Sequence, residues 1–303
     1  MIQELQFSQP GLRRALQMTS ATVTLFVEGF LDRPFISQIF EACGICDSKN
    51  VMVRLAKEVN PDRGSGKTSL LAQHEYLTGT NSLVIDRGTD KHISIFFLDK
   101  DIDDVSQTLV ECPHVIYTEH YGLENYLYLH GNLVQALCCG AALDTNSVKL
   151  ADNKTWTETA IQSWKDWVAL CLLMRKAAPG MGPNYSISES PIHNGPYGTV
   201  NSTTETTFIS RLAGKAGCSN DTILTEYENW KQVVSVAIQE GRGNHFFNGK
   251  WYGAFLVGDA KRIAAGRDLP SGFENRLESI LLSSLKYDEP WTSTLCSKIK
   301  NLF

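Results

Sequence analysis

The chain has 303 residues, enough for about two domains with cores of their own. Its 43% hydrophobic and 20% charged content excludes a disordered polymer, and its net charge of −5 argues against a broadly basic surface for nucleic acid. No apolar run approaches the roughly 18 residues of a membrane-spanning helix, so no membrane role is expected.

The opening stretch, MIQELQFSQPGLRR, has no apolar signal core, and a cytoplasmic location is expected. The eight cysteines are then expected to be mostly reduced, buried hydrophobes. Cys43 and Cys46 form a CxxC, but the second ligand pair of a structural zinc site is missing. Thr22–Glu28 reads as a buried strand ended by Gly29, and Leu31–Cys43 as a helix with Phe35, Ile36, Ile39 and Phe40 on one face. Val51–Leu55 is a second strand, Lys67–Leu77 a helix and His92–Leu98 the clearest strand. A short helix over Asp104–Glu111, a strand over His114–Thr118 and one long helix over Leu123–Leu143 complete the first half. Strands alternating with helices imply a mostly parallel sheet.

The second half reads as helical. Helices are expected over Thr155–Ala178, Thr206–Ala216, Asp221–Glu240, Lys250–Ala264, Gly272–Lys286 and Trp291–Leu302. Residues 179–206, rich in Pro, Gly, Asn, Ser and Thr, read as a long loop. The expected division is therefore an α/β domain over 1–145 and an α-helical domain over 146–303.

The first 150 residues hold 18 acidic against 12 basic side chains, so the excess of carboxylates lies there. Glu28 ends the first strand, and Asp32 opens the helix that follows. Asp99 and Asp101 follow HISIFFL, Glu119 follows the next strand, and Glu124 stands at a helix start. In open parallel sheets ligands bind beyond the carboxyl ends of strands, so these acids are expected on one edge. Converging carboxylates repel one another unless a cation neutralises them, and hard oxygen donors suit Mg²⁺ or Mn²⁺. Taken singly, each acid has the ordinary alternative of a helix cap or solvated loop charge.

Two partial motifs fail. Asp99-x-Asp101-x-Asp103 opens like a calcium loop, but Asp104 and Val110 stand where Gly and Glu are needed. Gly64-Ser-Gly66-Lys67-Thr68 is like the tail of a P-loop, but Pro61 replaces its first glycine. Such a stretch retains the means to hold a phosphate through N–H groups and Lys67; a plain connection is its simpler reading.

Three stretches together resemble the Toprim domain over roughly residues 20–145. They are Leu25-Phe-Val-Glu28-Gly29-x-x-Asp32, Phe97-Leu-Asp99-Lys-Asp101 and Tyr117-Thr-Glu119-His-Tyr-Gly-Leu-Glu124-Asn125-Tyr126. The resemblance implies a Rossmann-like, mostly parallel fold with Glu28, Asp99 and Asp101 binding divalent metal and serving catalysis. Asp32 matches a further acid of the OLD-like nuclease branch, and Glu124 an acid of a stand-alone defence subgroup. Glu119 stands where an aspartate is expected, so its ligand role is a possible one only.

Within that branch the chain is most similar to the Toprim effector subunits of PARIS-type anti-phage systems. That similarity implies an ABC-type ATPase partner that sequesters the chain, a homodimer on release, a phage anti-restriction protein as indirect trigger, and host tRNA as nucleic-acid substrate. His245-Phe-Phe-Asn-Gly249-Lys250 is similar to a later Gly-Lys element of the subgroup. Lys250 would stabilise charge developing on phosphate, and His245 would orient a water or touch a phosphate; a solvated Lys250 is the equal alternative. Arg211, Lys215, Arg242, Lys261, Arg262 and Arg267 are the basic candidates for a polyanion, whereas Trp164, Trp167, Trp230 and Trp251 fit a core at helical spacing. The rival readings are an OLD-like DNA nuclease and a non-catalytic Toprim interaction module of an ATPase complex.

Overall fold

The computed structural model describes residues 7–59, 66–88, 90–103, 105, 107–178 and 190–303. Contacts divide the chain into two units, one of Met1–Lys100, Thr108–Thr118 and Lys286–Phe303, the other of Asp101–Gln107 and Glu119–Leu285. This division does not coincide with the expected boundary near residue 145. Residues 119–145 group with the later helices, and 286–303 group with the sheet.

The first unit is α/β. Its sheet runs β2 (Val51–Leu55), β1 (Val23–Val27), β4 (Lys91–Leu98), and the far edge of β4 is shared. There β3 (Val84–Asp86) pairs antiparallel with Lys91–Ile93, and β5 (Val115–Tyr117) pairs parallel with Phe96–Leu98. The pairs β1–β2, β1–β4 and β4–β5 are parallel, as the alternation of elements requires.

The strands are rich in β-branched and aromatic residues, and β1 is buried on both faces. One face carries Phe26 stacked on Phe96 at 4.8 Å, under α1 (Gln9–Met18) and α3 (Lys67–Gly79). The other carries Phe97, 6.0 Å from Phe35 of α2 (Asp32–Ala42). Phe35 also meets Tyr287 and Trp291, which lead into α12 (Ser293–Lys300). Cys43, after α2, and Cys296, in α12, are joined as a disulfide; the other six cysteines are free, as expected for most, but only Cys171 among them is buried, so the expected burial does not hold. Sequence spacing carries no sign of that pairing, because the partners lie 253 positions apart.

Two elements escaped the sequence reading. Helix α1 buries only Leu12 and Leu16 and is marked by its Ser8 cap and early proline; β3 is three residues long and needs its partner to be recognised. Of the helix expected over Asp104–Glu111, residues 104 and 106 lie outside the described residues, and the remainder forms turns and irregular backbone.

The second unit is helical: α4 (Leu123–His130), α5 (Leu133–Gly140), α6 (Asn153–Ser163), α7 (Lys165–Ala177), α8 (Ser202–Ala216), α9 (Asn220–Gln239), α10 (Tyr252–Ala264) and α11 (Glu274–Ser284). The single helix expected over Leu123–Leu143 is two. At Gly131 a Cβ would lie 2.4 Å from the Leu127 carbonyl, and Asn132 then caps α5 by accepting from Gln135 N at 2.9 Å. Thr155–Ala178 is likewise split, at Trp164. The expected loop over 179–206 is described only from residue 190, and α8 begins at Ser202. Trp164, Trp167 and Trp251 are fully buried, as core residues at helical spacing should be. Among the described residues no helix is long and apolar enough to cross a membrane.

Candidate functional site

The parallel register sets Val27 of β1 opposite Phe97 of β4, so Glu28 and Asp99 emerge at the carboxyl ends of neighbouring strands. Asp99 N donates to Glu28 Oε1 at 3.1 Å, fixing the carboxylate beside the β4 terminus. The chain turns at Gly29, whose N–H donates to Asp32 Oδ2 at 2.6 Å. Asp32 is the first residue of α2 and is buried. A carboxylate there also meets the positive end of the helix dipole.

Gly66, at the N-terminus of α3, approaches from the side; a Cβ on it would lie 3.9 Å from Glu28 Oε2. Lys67, the next residue, donates through Nζ to the carbonyls of Asp99 at 2.5 Å and Lys100 at 3.3 Å. Its ammonium stands 5.5 Å from the Tyr117 ring centre. The first unit thus gathers Glu28, Asp32, Asp99 and Lys67 at the carboxyl edge of β1 and β4. Residues 64 and 65 of the glycine-rich stretch lie outside the described residues.

The other expected residues form a group within the second unit. Asp101 has a φ of +53°, a left-handed conformation uncommon for a residue with a Cβ, and its N–H donates to Tyr121 O at 2.7 Å. Tyr121 N in turn donates to Asn244 O at 2.9 Å. Glu119 N donates to Tyr126 Oη at 2.8 Å, and His120 lies against Tyr126, 4.9 Å between ring centres, and against His245 at 6.0 Å.

Glu124 lies in the first turn of α4, with Lys250 Nζ 3.7 Å from its Oε1. Gly249 makes that pairing possible. A Cβ there would fall 2.5 Å from Asn125 N and 2.7 Å from Glu124 Cβ, so only glycine lets this backbone pass the helix start. Asn125 locks the approach. Its Oδ1 accepts from Gly122 N at 3.1 Å, and its Nδ2 donates to Asn244 Oδ1 at 3.0 Å and Phe247 O at 2.9 Å. Two motifs read separately in the sequence, Glu-Asn-Tyr and Gly-Lys, are therefore one structure.

Three residues here had no assigned role. Asn244 organises the group through Asn125 and through Tyr252, whose hydroxyl donates to its Oδ1 at 2.7 Å. His120 follows Glu119 in the Toprim-like stretch, where the sequence gives it no role of its own. Glu278, on α11, has its carboxyl pushed above the usual range, first by burial and then by the charge of Glu124, with Lys250 opposing. Nothing in its local sequence separates it from a surface glutamate of a helix.

The donor set of the first group is carboxylate oxygen, which fits a hard divalent cation. Two of its carboxylates are held by backbone N–H groups, which fixes them at the strand ends. Among the described residues no cluster of three or more His, Cys, Asp or Glu side chains is drawn into a ready-made metal cage. No protein-family model matches the chain, and no curated protein matches it.

Proposed function

We propose that the chain is a Mg²⁺- or Mn²⁺-dependent nuclease of the Toprim type, acting as the toxic effector of an anti-phage system. The observation that carries this reading is the Glu28–Asp99 contact at the carboxyl ends of adjacent parallel strands, with Asp32 held at the same turn. Glu28, Asp32 and Asp99 are the proposed cation ligands. Asp101, two positions beyond Asp99, and Glu124 keep the ligand roles that the family likeness implies, and Glu119 remains the lesser candidate.

Glu28, Asp32 and Asp99 would hold a divalent ion, which when bound would supply an activated water and charge neutralisation for a phosphodiester. By the family likeness Lys250 would add a positive charge for the phosphate, with Glu124 orienting its ammonium, and His245 would hold a water. Lys67, bonded to the carbonyls of Asp99 and Lys100 just beyond β4, steadies the backbone that presents Asp99. The substrate in this reading is host tRNA, and an ABC-type ATPase restrains the chain until a phage anti-restriction protein is sensed, when the chain is released as a homodimer.

The test is cleavage of labelled tRNA by purified protein with and without EDTA. Glu28→Ala is expected to lower the rate at least about 100-fold, as loss of a metal ligand does. A variant that cuts as fast as the parent overturns the reading. Plasmid DNA in a parallel reaction distinguishes the DNA-nuclease alternative, while metal-independent inertness with tight ATPase binding marks the interaction module.

A further inference from the structure

The second unit contains a cavity of about 400 Å³ that the reading above does not use. Its walls mix apolar and polar surface, with the aromatic rings of Tyr128 and Trp164 and the aliphatic Pro196, Val257 and Leu277 among them. Charged groups of both signs meet there: Lys250 and Lys261 bring ammonium groups, and Glu274 and Glu278 bring carboxylates. Lys250 belongs to both places, since its Nζ also stands 3.7 Å from Glu124 Oε1.

This combination selects a ligand class. The volume lies in the range that encloses one small molecule and is too small for a duplex. The apolar walls favour a flat ring, the two lysines an anion, and the carboxylates hydrogen-bond donors such as exocyclic amino groups. A nucleotide combines these features, with a ring that has donors on its edge and an anion attached. A sugar lacks the anion and the flat face, and a fatty acid lacks the donors.

We propose that this cavity is a nucleotide site, and, resting on the nuclease reading, that it takes an unpaired nucleotide next to the phosphate faced by Lys250. Glu278, on the cavity wall, then reads the base edge, its carboxylate oxygens accepting from donors there.

The experiment is equilibrium dialysis of the full chain against the four 5′-ribonucleoside monophosphates and against unpaired trinucleotides, all in EDTA so that no cleavage occurs. Saturable binding is expected, with trinucleotides held more tightly than mononucleotides if the strand is the source and equally if a free nucleotide is. Lys261→Ala, at an exposed position, is expected to weaken binding about fivefold, and Ala254→Trp, which fills the cavity, to abolish it. Thermal unfolding of each variant confirms that it is folded. No saturable binding by the parent, or parent-like binding by a folded Ala254→Trp, overturns the site and leaves the Glu28→Ala test of the nuclease untouched. Binding that behaves as expected in a protein without metal-dependent cleavage keeps the site and removes the nuclease.

Discussion

His130, in the last turn of α4, shows what burial does to a single ionisable side chain. Loss of water pushes its imidazole from the ordinary 6.5 down to about 4. Between those values the unfolded chain binds a proton that the folded chain refuses. Stability therefore rises with pH across that window and is lost as pH falls from about 6.5 towards about 4. Thermal unfolding followed by circular dichroism should show a midpoint falling by a few degrees on acidification, and His130→Gln should flatten that slope. His74, His92 and His193 are shifted in the same direction, first by burial, so the flattening is partial. An unchanged slope in the variant would remove His130 from the explanation.

Among the elements, the backbone of residues 249–251 packed on the start of α4 carries the most testable strain. Gly249→Ala forces a methyl to within 2.5 Å of Asn125 N, and something must shift. Overpacking of this kind costs about 1–3 kcal/mol, to be read from urea denaturation. The same shift separates Lys250 from Glu124, so under the proposed nuclease reading cleavage should fall together with stability. A variant as stable as the parent would mean that the approach relaxes at no cost. Elements also mark what the sequence made readable. Hydrophobic period and β-branched runs placed β1, β2, β4, β5 and α2 to within a residue or two, because those segments bury a continuous face. The carboxyl-edge position of Glu28 and Asp99 followed directly from that reading. The breaks at Gly131 and Trp164 were not legible, because an apolar pattern continues across them and only a neighbouring carbonyl or side chain decides. Glu278 and Asn244 were invisible for a related reason: the partners that join them to the Glu124 group, Glu124 itself and Asn125, lie over a hundred positions away.

At the scale of the molecule, the disulfide between Cys43 and Cys296 closes a loop spanning 253 positions. Removing such a cross-link restores entropy to the unfolded chain and typically costs about 2–4 kcal/mol. Cys296→Ser, or full reduction, should lower the urea midpoint accordingly; no change would show that packing of Phe35 on Tyr287 and Trp291 suffices. Chain order adds a consequence for synthesis. A ribosome makes the strands and α2 early, yet residues 286–303, which cover the Phe35 face, emerge only after the whole helical unit has been translated. During that interval the nascent sheet presents an apolar side to water, open to chaperones, and the acid-bearing half waits on the late segment before its layers close.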